Sequence, residues 1–492
     1  MPVALSSSIS SPPAFQHLLF DLSELEVAPP PPSIIHAARR RSPARPRDIG
    51  FGILSYFCGP ELIDRVLAQH GRAEKRCRLL PARLAVYATL LMCMRPAMGY
   101  QRLMYQLRPA VPASQSWTVP SRSAFAQARQ RLGFEVMESL FRAQAMPLAG
   151  PGTSGCWWRG RRLMAIDGTT LKLANREQLW ETFGGQMVEE KRQGPPLLRT
   201  VALVEVGTRA LVDAEMASYA TSEQELAERL VRSIQPGMLV LGDRYYPGVR
   251  LYRRYVGAGA DVLWRLKSDV AVRNRQDLAD GSHLATIGSG KKAVQVRVIE
   301  YTLPGSNEHY RLLTNMLDPD QASAAELAAL YAERWEIEIG YREIKAHQCA
   351  GKALRSLTPD GVRQEFWANL ASHGISRRLI HQAAMTTADR DPDRVSFSLA
   401  QDQILSSASQ PTGLGAARLA AVVRDAVQVL ARQRELLTRR DRSCPRAVRY
   451  RGHRYPSRAK HHGPLSLRQA RRPPISTAEP PARLTPQGAG AV

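Results

Sequence analysis

Met238-Leu239-Val240-Leu241-Gly242-Asp243 is a short, fully apolar run that closes on a glycine and an acid. Its length and aliphatic content predict a strand covered on both faces. Upstream, Arg162-Leu163-Met164-Ala165-Ile166-Asp167 has the same form. Between them lie strand candidates at 198–206 and 210–215 and an amphipathic helix at 223–234. Strands alternating with a helix predict a mixed α/β sheet. Each acid is expected at the end of its strand, pointing into a crevice at the carboxyl edge of the sheet.

Downstream, residues 261–316 are almost wholly strand-like, with runs at 261–266, 293–301 and 309–315, and read as a β-rich insertion. A helix over 323–347 follows, with Ser323 as cap and Glu326 completing a capping box. Further helices are expected at 364–384 and 414–438. Upstream of 160, the Gly, Pro and Ser of 150–160 read as a linker, and 51–146 is helical. Within that stretch one helix closes at Gly71, Pro81 opens the long apolar segment from Leu84, and Ser121 caps a helix ending at Gly133. The expected organisation is an arm at 1–48 containing Pro29-Pro30-Pro31-Pro32, an all-α N-terminal domain at 49–148, and a catalytic domain at 160–385 that includes the insertion at 261–316. A helical region at 386–438 and a basic tail at 439–492 complete it.

The chain of 492 residues carries 68 Lys and Arg against 44 Asp and Glu, a formal charge of +24. A field of that sign attracts polyanions, so nucleic acid is the first partner to consider. Beyond Ala431 there are 15 basic against 3 acidic residues, a net +12 that makes up half the total. The longest apolar run, residues 84–94 between Arg83 and Arg95, is far short of the ~20 residues that cross a bilayer, so no membrane role is expected. The N-terminus lacks the features of a secretion signal, which leads to an expectation of cytoplasmic, nucleoid-associated residence. Cys58, Cys77, Cys93, Cys156, Cys349 and Cys444 are scattered without a CxxC pair, arguing against disulfides and a zinc ribbon.

Two carboxylates at neighbouring strand ends can share divalent cations, and Mg²⁺ takes oxygen ligands while leaving positions for water and phosphate. In a two-metal site the ions lie roughly 3.5–4 Å apart, one activating the attacking oxygen and the other stabilising the leaving 3′ oxygen. The helix from Ser323 offers a third acid. Tyr331, Arg334, Glu338 and Lys345 stand at offsets 0, 3, 7 and 14 and share one face, beside an apolar stripe of Leu330, Ile337 and Ile344 that suits packing on the sheet. Spacing alone also fits a solvated, non-catalytic face.

Three segments, Ala165-Ile166-Asp167-Gly168-Thr169-Thr170, Leu241-Gly242-Asp243-Arg244 and Tyr331-x2-Arg334-x3-Glu338-x6-Lys345, resemble in order and spacing the signatures of the insertion-sequence-4 group of bacterial DDE transposases. The resemblance covers roughly residues 51–384. It implies an α/β fold: an RNase H-like catalytic core with a β-rich insertion, preceded by an all-α N-terminal domain. It implies that Asp167, Asp243 and Glu338 bind two Mg²⁺ or Mn²⁺ ions and catalyse cut-and-paste transposition, cleaving transposon-end DNA and joining its 3′ ends to a target. It also implies that Tyr331, Arg334 and Lys345 contact phosphates at the transposon end, where a base is flipped out. The expected partners are double-stranded DNA, as terminal inverted repeats and target, and a second copy of the chain in a synaptic homodimer.

Flipping needs an aromatic receptor. Trp264 and Trp335 are candidates, with burial in a core the competing reading for each. Arg244 reads as a phosphate contact or as a partner of the acids. Arg122 and Arg129, one heptad apart, are candidate DNA contacts of the N-terminal domain. A non-catalytic DNA-binding or architectural protein, and an RNase H-like nuclease without strand transfer, are the alternatives. The first of these has no need for acids at two strand ends and on a basic-striped helix.

Overall fold

The computed structural model describes residues 49–74, 78–111, 117–302, 309–387, 390–433 and 436. The arm, the basic tail, Cys77 and Cys444 lie outside them. Six helices come first: α1 (Ile53–Phe57), α2 (Pro60–Gln69), α3 (Ala82–Met94), α4 (Tyr100–Leu107), α5 (Arg122–Leu132) and α6 (Glu135–Gln144). Ser121 caps α5 by accepting from the Ala124 amide, and Gly133 ends it at φ 74°, a left-handed value that glycine adopts without Cβ strain.

The sheet is built from β1 (Trp157–Trp158), β2 (Arg161–Lys172), β5 (Leu197–Glu205), β6 (Leu211–Ser218), β7 (Met238–Gly242) and β8 (Asp261–Arg265). Between β2 and β5 lie α7 (Glu177–Phe183) and a small hairpin of β3 (Met187–Val188) with β4 (Lys191–Arg192). Helix α8 (Glu223–Arg229) connects β6 to β7, and α9 (Val249–Gly257) connects β7 to β8. The order β6-β5-β2-β7-β8, with β5 antiparallel to both neighbours and β2, β7 and β8 parallel, is the topology of an RNase H-like core. Chain order reverses at β2, which makes the β2–β7 junction the switch point where open α/β sheets place their sites.

Two expectations change here. The run at 261–266 is the fifth core strand, parallel to β7, and not part of an insertion. The remaining β-rich segment, β9 (Arg273–Asp277), β10 (His283–Ile287), β11 (Val294–Thr302) and β12 (His309–Thr314), extends the same sheet through β12–β8 pairing. Strand β2 also runs six residues past Ile166, because β5 pairs with it as far as Lys172. A crevice opens beside Asp167 because β7 stops there, at Gly242 opposite Ile166.

Alternation sorts the strands onto two cores. Leu163, Ala165, Leu239 and Leu241 face the N-terminal helices together with α10 (Ala324–Tyr331), α11 (Trp335–Arg342), α12 (Pro359–Ala384), α13 (Phe397–Ala408) and α14 (Ala416–Arg432). Met164, Ile166, Met238 and Val240 face α8 and α9. The N-terminal helices therefore share their core with the sheet: α12 packs on α3 and α6. No helix among the described residues is long and apolar enough to cross a membrane.

The predicted helix over 323–347 is segmented. Ser323 and Glu326 form the capping box, but a 3₁₀ turn at Ala332–Arg334 separates α10 from α11, and a π-helical turn at Glu343–Gln348 follows. Such turns rotate the later side chains relative to a straight helix. They bring distant stripe members onto β2.

Candidate active site

Asp167 and Asp243 are adjacent because their preceding residues, Ile166 and Gly242, are register partners. The Gly168 amide donates to Asp167 Oδ1 at 2.9 Å, and the Tyr245 amide to Asp243 Oδ1 at 2.8 Å, so each carboxylate is oriented by backbone. Helix α11 crosses above. Tyr331, the last residue of α10, donates its hydroxyl to the Gly242 carbonyl at 3.1 Å, and Tyr341 of α11 to the Asp167 carbonyl at 2.7 Å, which ties both helices to the acid-bearing strands. Lys345 Nζ donates to Thr169 Oγ1 on β2. Tyr341 went unremarked in the sequence, although its offset of 10 from Tyr331 lies on the same stripe. Of the apolar stripe, Ile337 and Ile344 are buried and Leu330 packs partly buried against the same core.

Arg334 stands among the acids, with Nη2 3.0 Å from Glu338 Oε1 and Nη1 3.8 Å from Asp167 Oδ2. Burial drives the Asp167 carboxyl up; Arg334 opposes this, Asp243 and Glu338 reinforce it, and the balance lies at about 7. Burial disfavours charge on Arg334 too, but Tyr331, Asp167, Glu338 and Asp243 outweigh it and keep the guanidinium firmly protonated. These oxygen donors suit a hard divalent cation, and the repulsion that Asp243 and Glu338 add to burial at Asp167 is charge that such a cation neutralises. Among the described residues, no three acidic, histidine or cysteine side chains stand close enough to hold one ion together. The guanidinium lies between Asp167 and Glu338 instead.

The family described as Transposase DDE domain matches residues 158–375, and the insertion element 4 transposase N-terminal family matches residues 48–142. The chain belongs to the DDE transposases of the insertion-sequence-4 group. It is 29% identical over 420 residues to the transposase InsG for insertion sequence element IS4 of Escherichia coli K12, covering 83% of this chain and 94% of that one. InsZ of the same organism is 28% identical over 207 residues, 42% of this chain and 68% of its own length. A cryo-EM structure of the piggyBac transposase synaptic complex with hairpin DNA aligns over 80% of this chain and 88% of its own, at 11% identity and a TM-score of 0.42. DDE transposases generally use divalent metal ions.

The other sequence candidates separate in this DDE transposase. Arg244 is exposed, its guanidinium 5.9 Å from the ring of Tyr245, which is itself 53% exposed. Trp335 is 45% exposed beside Arg334, so for it the core reading fails. Trp264 is fully buried in the core under Gly242, with Tyr252 and Tyr255 edge-on to it, and cannot receive a base. Tyr331 is buried with its hydroxyl on the Gly242 carbonyl, so it positions the helix rather than presenting a surface. Arg122 is exposed. Arg129, in contrast, is buried and donates to Gln364 at 2.8 Å, Tyr100 at 2.6 Å and Ser356 at 3.1 Å, which leaves it a tie between α5 and α12 and not a DNA contact.

Sequence reasoning missed a second charged cluster behind the helix. Arg209, in the β5–β6 turn, pairs with Glu336 at 2.7 Å, Glu343 at 3.1 Å and Asp393; Glu343 also pairs with Arg377 and His373. All six are buried. Glu338 on one side of α11 thus faces the acids of the sheet, while Glu336 on the other is locked into the fold by Arg209.

Proposed function

We propose that this transposase cuts DNA at the ends of its element and joins the 3′ ends to target DNA, with Asp167, Asp243 and Glu338 as ligands of two Mg²⁺ or Mn²⁺ ions. The observation that carries this is the pairing of Ile166 with Gly242, which sets two aspartates side by side under a helix glutamate at the sheet's switch point. Divalent cations held there supply the charge that activates an attacking oxygen and stabilises the leaving one.

The chain's own groups do the rest. The Gly168 and Tyr245 amides orient the two aspartates. Arg334 and Lys345 neutralise the phosphates flanking the scissile bond, the guanidinium fork holding two oxygens at once. Arg244, Tyr245 and Lys267, whose Nζ lies 5.2 Å from the Tyr245 ring, form a basic and aromatic surface beside Asp243 that suits backbone and base contact. Trp335 is the receptor for an unstacked base, and Arg122 extends the contact along α5. Two copies bridged by paired ends form the synapse.

Cleavage and gel-shift assays on the same proteins test this reading. Asp167→Ala, Asp243→Ala and Glu338→Ala each abolish strand cleavage and leave end binding nearly intact, since affinity comes mainly from Lys and Arg on phosphate. Cleavage by one of them at wild-type rate removes that residue from the ligand set. Joining of a precut 3′-hydroxyl end to a target duplex separates a transposase from a nuclease.

A further inference from the structure

Gly168, next after Asp167, looks to the opposite side of β2, the side covered by α8. A Cβ at this position collides with the carboxyl group of Glu223. Glu223 opens α8, whose entry is fixed by the Ser222–Glu225 capping box. The absence of a side chain at Gly168 therefore lets a fourth carboxylate lie against the backbone beside the first aspartate. Glu223 is 25% exposed, and its cationic partner among the described residues, Arg199, stands 3.6 Å away. Burial raises its carboxyl, Arg199 lowers it and Asp243 raises it further, so it shares the field of the acids across the sheet.

A second, independent feature marks the same cradle. Tyr246, three residues after Asp243, is fully buried, and its hydroxyl has no hydrogen-bond partner among the described residues. The titratable groups that act on it are Asp167, Glu223, Tyr341 and Asp243. A buried hydroxyl left without a partner is destabilising, and the carboxylates of Asp167, Asp243, Glu338 and Glu223 repel. A hydrated cation would answer both, drawing together carboxylates that stand apart in the folded chain and offering a water to the hydroxyl.

We propose that Glu223 is a fourth acidic member of the cation site at Asp167 and Asp243, admitted past Gly168 from the opposite face of the sheet, with the Tyr246 hydroxyl positioned to hold a water of that cation. The proposal rests on the reading of Asp167 and Asp243 as cation ligands. Strand β7 ends at Gly242, opposite Ile166; Glu338 stands on the helix side of this strand end, paired with Arg334, and Glu223 lies against Gly168 on the α8 side.

Isothermal titration of the full chain with Mn²⁺ alone, without DNA and at one pH, tests it. Glu223→Gln removes the charge at nearly constant shape; Gly168→Ala keeps every carboxylate but displaces this one. Both are expected to weaken Mn²⁺ roughly tenfold, the size usual for supporting ligands, while the exposed Glu181→Gln leaves it unchanged. Should Glu223→Gln fail to fold, Gly168→Ala decides. Wild-type affinity in the Glu223 and Gly168 variants, with binding lost in Asp167→Asn, overturns the proposal and spares the aspartate reading. Wild-type affinity in Asp167→Asn as well overturns both. A role for Glu223 limited to its Arg199 pair shifts melting in EDTA but not Mn²⁺ affinity.

Discussion

Arg334→Ala separates a helix that happens to be charged from one built around the acids. In the folded chain its guanidinium pairs with two of the acids, 3.0 Å from Glu338 and 3.8 Å from Asp167. Unit charges about 4 Å apart interact by about 4 kcal/mol at an effective dielectric constant of about 20, and removing one partner of a buried pair costs about 3–5 kcal/mol. Two features place the expected loss at the lower end. Glu338 is 30% exposed, so water screens it, and Asp167, already held up to about 7, can shed its charge by taking a proton. A loss of about 3 kcal/mol corresponds to a drop in Tm of roughly 4 °C when the N-terminal helices and the sheet melt as one unit, at about 2.1 cal/mol/K per residue. The assay is melting in EDTA and again in saturating Mn²⁺. The variant should be much less stable than wild type in EDTA and should gain more from Mn²⁺, because the ion takes over the neutralising charge. Cleavage should fall sharply, and Arg334→Lys should not restore it, since an ammonium lacks the planar fork. Arg342→Ala, exposed on the same helix, should be silent in every measurement. Equal melting of Arg334→Ala and wild type in EDTA, with equal gain from Mn²⁺, would refute the counter-ion reasoning.

Asp167 predicts a pH dependence of metal uptake. Its folded value of about 7 exceeds its ordinary 3.8, so between these limits the folded chain holds a proton that the unfolded chain has lost; metal-free stability falls as pH rises through this window, while Mn²⁺ affinity rises with it. Titrations at about pH 6 and about pH 8 should show tighter binding at the higher value, and a flat profile contradicts this. Glu343 is driven up by burial but held well below the usual carboxylate range by Arg377, His373 and Arg209. Glu343→Gln should therefore destabilise the fold by about 3–5 kcal/mol in chemical unfolding, through cations left buried and unpaired; its distance from the acid-facing stripe would otherwise suggest a silent change. Arg129→Ala should lower Tm while leaving the salt dependence of end binding unchanged, whereas Arg122→Ala should do the reverse, reducing the slope by about one counterion. Loss of the slope in Arg129→Ala would show that its buried ties open in the complex.

Local pattern determined the sheet strands at 162–166, 198–206 and 238–242, the Ser121 and Ser323 caps, and the three acids, because a strand run, a capping residue and a helical offset depend only on neighbours within a few positions. The segmentation of the 323–347 helix was not legible: a 3₁₀ or π turn costs little locally and is selected by what the side chains meet across the sheet. Tertiary structure alone decided which arginine serves which purpose. Arg122 and Arg129 share a heptad spacing, yet one is exposed and the other is spent on Gln364, Tyr100 and Ser356. Trp335 and Trp264 were equal in sequence and separate only by strand and helix placement. Glu223 and Gly168 meet across 55 positions of chain, and Arg209 finds Glu343 and Asp393 at still greater separations. Contacts of that range are set by sheet register and helix packing, through which one chain position is brought against another, and no periodicity in the sequence records them.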